Sequence, residues 1–365
     1  FDMDRSIPHA YEAMATAQVL DGHKALVQSY LLLGQCQEGQ NLKIEAFRNY
    51  LSALAIAQKH HDDALLTACH RTLSFFFNVN NMASKAVEYK LKEIRILEQQ
   101  VPIDSVALRS ALLDLEEITF HSREEVNEEV LKASIRFASR MHVEPLYRAA
   151  MALYRSWLIS KLDLEGLTRL YDEDYPLELQ RLSVEEPFTY YRVNAYLHES
   201  ASRMDSAIHY FGLAEMALGD DPNKVLRAHF MIRFAELLLR DGQGIAAEQK
   251  LHQAYELALA SGFLPYARQA ADAMKEVCAG QKDYARAYAF SEYSRRISDS
   301  LSAIAQGEDL FLLEIDNATR MHETALIQEE IAYKRSRNIQ YTAITVGIIF
   351  VFFIVITLGS LAIRS

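Results

Sequence analysis

The chain has 365 residues, and its 49 acidic against 38 basic side chains leave a formal net charge of −11. That balance excludes general nucleic-acid binding, which needs a clustered basic surface to neutralise phosphates. Three scattered cysteines, Cys36, Cys69 and Cys278, show no CxxC or Cys/His spacing, so neither a metal site nor a disulfide framework is expected. They read as buried small apolar residues.

With only 13 Gly and 7 Pro, the sequence reads as helical nearly throughout. Apolar residues recur at three- and four-residue intervals, as in Ala46/Tyr50/Ala53/Leu54 and Ala207/Phe211/Ala214, and no alternating run predicts a strand. The first residues, Ser6, Ala10 and Ala13, fit the second helix of a repeat unit. From there a period of about 40 governs the chain. Ala46 is followed at that interval by Ala86 and Val126, and Ala207 by Ala247 and Ala287. Between the two sets stands Leu167, one residue out of phase. Thirteen residues before each small residue comes a pair such as Leu33-Gly34, Leu73-Ser74, Asn194-Ala195 or Phe234-Ala235. Turn signals at Gln37–Gln40, Asn78–Asn81, Asp241–Gly244 and Gly280–Asp283 divide each unit into two helices. A helical hairpin cannot bury its apolar stripe alone. Successive hairpins therefore stack, and small residues let the paired helices approach.

Leu33-Gly34, Ala46, Tyr50 and Ala53-Leu54 stand at the relative positions of the tetratricopeptide-repeat consensus, and Ala207, Phe211 and Ala214 match its second helix. The chain thus resembles that family, with a period nearer the longer-helix variants. Ala86 departs from the pattern by having Lys90 four residues on, and the segment from Val101 to Val184 matches only in periodicity.

Beyond Tyr284 the only strong turn signal is Gly307, which predicts one long helix. A heptad register puts Ile297, Ile304, Phe311, Ala318, Ala325 and Ala332 at one seam position, and Leu301, Glu308, Ile315, His322 and Glu329 at the other. Only one of the two is consistently apolar, so a weak dimeric coiled coil or a helix packed on the last repeat is expected. From Ala343 to Ile363 no charge occurs, and roughly 20 apolar residues cross a hydrocarbon core about 30 Å thick. The expected architecture is therefore all-α. A tetratricopeptide-like solenoid of helical hairpins covers 1–296, a connector helix 297–338, and a C-terminal transmembrane helix 339–365.

The connector resembles that of bacterial membrane sensors, through Asp299-Ser300-Leu301, Leu312-Leu313, Thr319, Glu330 and Arg337 followed by the apolar run. That resemblance implies a signal-transduction input domain that binds a peptide or protein outside the cytoplasm and relays to an output module beyond residue 365. The alternative is a membrane-anchored scaffold that holds partners at the bilayer without signalling. Lys334, Arg335 and Arg337 read as membrane-interface contacts to lipid headgroups. Their count before the span favours cytoplasmic repeats on a tail anchor, whereas the resemblance implies periplasmic repeats on a bacterial inner-membrane protein. Ala343 and Gly347, four apart, permit close helix approach, so a homodimer through connector and span is a further expected partner.

No phosphate loop, dinucleotide fingerprint, HExxH pair or nucleophile elbow occurs, so the chain is not expected to be an enzyme or to hold a cofactor. His60-His61-Asp62-Asp63 reads as a turn, and the adjacent pairs Glu116-Glu117, Glu185-Glu186 and Glu329-Glu330 as solvated faces. Trp157, Tyr154 and Leu158 read as core. The first helix of each unit should line a partner-binding groove. Spacing from the Leu-Gly position nominates Arg71, Phe75 and Asn78 in one unit, Arg192, Tyr196 and Glu199 in another, and Ile232 and Glu236 in a third. Arginine and asparagine there suit a carboxylate, and the aromatics an apolar side chain.

Overall fold

The computed structural model describes residues 8–9, 11–12, 14–17, 22–122 and 124–364, with the backbone alone for 346–364 and for scattered positions between 305 and 343. Ser6, Ala10 and Ala13 therefore lie outside the described residues. The described chain is helical, with no strand, and divides into two compact units, residues 1–99 with 310–365 and residues 100–309.

In the first unit, α1 (His23–Gly39) pairs with α2 (Lys43–Lys59), and α3 (Asp63–Val79) with α4 (Ala83–Gln99). The second unit begins with α5 (Ser105–His121), α6 (Glu128–Met141) and α7 (Glu144–Ser160). After α7 comes α8 (Leu164–Arg169), which runs on through a π-helical turn over Leu170–Asp174. An added helix, α9 (Pro176–Glu185), starts on a proline, whose fixed φ suits a first turn. Regular hairpins return with α10 (Pro187–Ser200) and α11 (Met204–Leu218), then α12 (Lys224–Arg240) and α13 (Gly244–Ser261), then α14 (Leu264–Gly280). The final helix, α15 (Tyr284–Arg364), contributes to both units.

The period is written in the turns. Asn41 and Asn81 carry positive φ, as do Ser202, Gly242 and Lys282, each set at 40-residue spacing. Each is the middle of a three-residue connection, where a left-handed residue reverses the chain between packed helices. Asparagine and glycine reach this conformation with little strain. Leu162 takes the equivalent place one residue out of phase, as Leu167 does in the sequence. The slip lies between Asn81 and His142, a stretch holding the longer connections 100–104 and 122–127. Helix starts are fixed locally by side-chain caps: Asp62 accepts from the Leu65 N–H at 3.1 Å, and Asp104 from the Val106 and Ala107 N–H groups. The His60–Asp63 stretch is such a turn, with the ring of His60 stacked on His23.

The small residues sit where the spacing predicts. Ala46, Ala86, Ala207 and Ala247 are fully buried, and a Cβ on Gly34 would meet the Tyr50 ring at 2.3 Å. Trp157, Tyr154 and Leu158 belong to the core of the second unit, and all three cysteines are buried thiols. Glu116 corrects one expectation. It is buried rather than solvated and accepts the Asn127 N–H at 2.7 Å, tying α5 to the start of α6.

The helical repeat architecture stands, but its membrane part is corrected. Among the described residues no helix is long and apolar enough to cross a membrane, which overturns the transmembrane helix over 339–365. The described length of α15 carries Asp309, Glu314, Asp316, Arg320, Glu323, Lys334, Arg335 and Arg337, each costly to bring into hydrocarbon. The side chains of 346–364, in the apolar run, lie outside the described residues. The single-pass localisation, in both its periplasmic and tail-anchored forms, and the bilayer as a partner are withdrawn with the span.

Part of the expected dimeric seam is occupied within the chain, although Ile304, Ala325 and Ala332 on it are exposed. In the second unit, Ile297 is buried with Ala228, Ala258 and Ala267, and Leu301 packs beside them. In the first unit, Phe311 lies 6.4 Å from Phe76 with the Lys43 ammonium over its ring, Ile315 and Ala318 are buried, and Asp316 faces Lys85 at 3.9 Å. A helix with one apolar seam satisfies it against the nearest apolar surface, and here that surface is the chain's own repeats.

Candidate functional site

The nominated residues fall into two groups with different surroundings. On α3, the Arg71 Nε donates to Glu93 Oε1 at 2.7 Å, and Lys90 Nζ donates to Glu93 Oε2 at 2.8 Å. Glu93 is completely buried and Lys90 nearly so. Lys90, the departure from the repeat pattern, is thus held by a carboxylate one turn along the same helix. Arg71 is engaged in this triplet, leaving Phe75 exposed (64%) and Asn78 half-buried on that helix.

In the second unit the first helices bring arginines together. Arg155 on α7 occupies the position that Gly34 holds in the first unit. It is only 6% exposed, and its Nη1 donates to the Tyr171 hydroxyl at 3.3 Å, the counterpart of Tyr50. Its Nη2 stands 4.0 Å from Glu186, a carboxylate shared with Arg181, while its Nε is sealed from solvent without a partner. On α10, Arg192 lies over the Phe188 ring at 5.2 Å, is half-buried, and makes no ion pair or hydrogen bond among the described residues. Burial holds its guanidinium below the ordinary range, Tyr196 pulls the other way, and the repulsion of Arg155 adds to the depression. Arg192 stays charged all the same.

On α12, Arg233 stacks over Tyr196 at 5.6 Å, donates to Glu236 through Nη1, and faces Glu199 through Nη2 at 3.7 Å. Arg240 donates to the same Glu199. His229 stacks on Tyr266 at 5.1 Å, and burial, then Arg192 and Arg233, push its pKa down to about 4, so it is neutral at pH 7.

Of the nominated residues here, Arg192 and Glu199 lie on this face, with Glu236 joined to them through Arg233. Tyr196 and Ile232 do not line an open groove. Both are buried, Tyr196 against Phe211 with ring centroids 5.5 Å apart, because the inner edge of each first helix is consumed by packing on its own second helix. Arg155, Arg233 and His229 were not predicted. Arg155 had a weak signal, a cation at a position held by Gly34, Ser74, Ala195 and Ala235 in four other units, with Asp114 and Lys275 standing there in two more. Lys334, Arg335 and Arg337 are exposed positions on α15, with Arg337 over the Tyr341 ring at 5.9 Å.

Fold and site together define an all-α helical-repeat protein. Among solved structures, the apo form of RapI is similar, with a TM-score of 0.60 and 12% identity, over 76% of this chain and 99% of that one. The Rap conjugation gene regulator of plasmid pLS20, solved in complex with the Phr* peptide, gives a TM-score of 0.48 and 12% identity over 77% and 76% of the two chains. At such identities the likeness is one of fold. No protein-family model matches the sequence, and no curated protein does.

Proposed function

We propose that the chain is a binding protein that takes a peptide or an extended protein segment along the first helices of its second unit. The observation that carries this reading is the arginine row on α7, α10 and α12, above all Arg192, which makes no hydrogen bond or ion pair among the described residues. Burying a cation without a counter-ion costs several kcal/mol, and such a site persists where it serves a ligand. Helical-hairpin arrays present faces of this kind to extended partners. The Phr* peptide in the complex named above supports the same class of ligand. Relay to an output module and anchoring at a bilayer form no part of the proposal.

The test is selection of peptides from a random library on the full chain, followed by photo-crosslinking of the selected peptides. Crosslinks within 188–199 and 229–240 are the expected result. Crosslinks confined to other helices, or no selectable peptide, would remove this reading.

A further inference from the structure

We infer that the segment bound on this face is anionic and seats one carboxylate on Arg192, with Arg155 behind it; this rests on the peptide-binding reading above. Three arginines from three helices converge here, but they are not equivalent. Arg233 is already engaged with Glu236 and Glu199, and Arg155 with Tyr171 and, at longer range, Glu186. Among the described residues Arg192 alone of the three makes no hydrogen bond or ion pair, Glu186 acting on it only at longer range, and its planar donor fork is suited to bidentate capture of a carboxylate. The Phe188 ring under its guanidinium fixes the plane in which a ligand must approach.

Charge balance narrows the class of ligand. Glu186, Glu199 and Glu236 surround the row and already answer most of its positive charge. An incoming anion must sit among these carboxylates, which favours a singly charged carboxylate over a dianion such as a phosphate. His229 adds no charge at neutral pH, being kept unprotonated by its buried position and by Arg192 and Arg233. A neutral imidazole beside the arginines supplies a ring for an apolar neighbour of the carboxylate rather than a further cation. Arg155 is nearly fully buried and near enough to repel Arg192, so it acts on the site through its field instead of by contact.

The experiment uses the full chain and three versions of a selected peptide: with its carboxylates intact, with Asp and Glu replaced by Asn and Gln and the C-terminus amidated, and with phosphoserine in place of the acidic residue. Binding is read by calorimetry on the native chain and on Arg192→Gln, with Arg192→Lys as a control that keeps charge but loses the fork. The inference expects the carboxylate peptide to bind at least about tenfold tighter than its amide form to the native chain. That difference should vanish in Arg192→Gln and be only partly restored in Arg192→Lys. Equal binding of the amide form, or a difference that survives in Arg192→Gln, overturns the carboxylate while leaving the peptide reading intact. Tightest binding of the phosphoserine peptide overturns the single-charge argument. If no peptide is selected, thermal melting in acetate against chloride at matched ionic strength separates the two ideas. An acetate shift lost in Arg192→Gln keeps the carboxylate site and removes the peptide reading, and no shift removes both.

Discussion

Two equivalent positions of the repeat are filled by Gly34 and Tyr50 in the first unit and by Arg155 and Tyr171 in the second. In the first, the tyrosine ring lies against the bare glycine backbone, and its hydroxyl donates to Glu38 at 2.8 Å. In the second, an arginine fills the place of the missing side chain, and the tyrosine hydroxyl accepts from it. The same fold position is thus used once for close packing and once to hold a cation in place. The contrast extends to cations drawn in from solvent: Lys90 in the first unit is paired with Glu93, whereas half-buried Arg192 in the second makes no hydrogen bond or ion pair among the described residues.

The sharpest way to break this comparison is Glu93→Gln, which removes the buried carboxylate that both Lys90 and Arg71 contact. A loss of about 3–5 kcal/mol in unfolding free energy is expected by urea titration. A loss below about 1 kcal/mol would show that the triplet is not a matched one. Next comes Gly34→Val, which drives a branched side chain into the Tyr50 ring. Overpacking at such a contact costs about 3 kcal/mol, visible as a lower Tm, and an unchanged Tm would mean that the helix pair has room to part.

A third test uses pH. His70 in the first unit is buried with its Nδ1 unpartnered, and burial, then Lys92, lower its pKa to about 4 from 6.5. The folded state therefore keeps it neutral, while the unfolded chain takes up a proton as pH falls through 6.5. Its contribution is complete above about pH 6.5 and is lost progressively down to about pH 4, reaching roughly 3 kcal/mol. Urea midpoints measured from pH 7 to pH 4 should fall less steeply in His70→Gln, and parallel curves would contradict the assignment. The smallest expected effect is the most telling. Arg192→Met breaks no pair, so its stability should stay level or rise by about 1 kcal/mol, in contrast to Glu93→Gln. A large loss there would mean that Arg192 has a structural partner, and the two units would no longer differ.

The period of 40 was legible because a single-residue device, a left-handed turn after each helix, repeats with it, as at Asn41, Asn81, Gly242 and Lys282. The small residues Ala46, Ala86, Ala207 and Ala247 were legible because close helix approach admits few side chains. The burial of the nominated residues was legible only in part. Arg192 and Glu199 were placed by spacing, but Tyr196 turned inward, since one step of register on a helix rotates a side chain by about 100°. Arg155 and Arg233 escaped because their meaning lies in neighbours 37 and 41 residues from Arg192, on other helices. The apolar seam of α15 gave its strength but not its partner, because an amphipathic helix carries no mark of whether it docks within the chain or on a second copy. The membrane span rested on composition alone, and no helix among the described residues is long and apolar enough to cross a membrane.

The three-residue turns have a further consequence for manipulating this protein. A connection that short leaves no slack, so an added residue at Asn41, Asn81 or Gly242 would turn the following helix out of phase with its stack. Among the described residues the connection between α5 and α6 is the longest, and it lies in the stretch where the period already slips. Epitope tags, fluorophore sites and cleavage sequences belong in that connection, ahead of Asn127, which Glu116 holds in place.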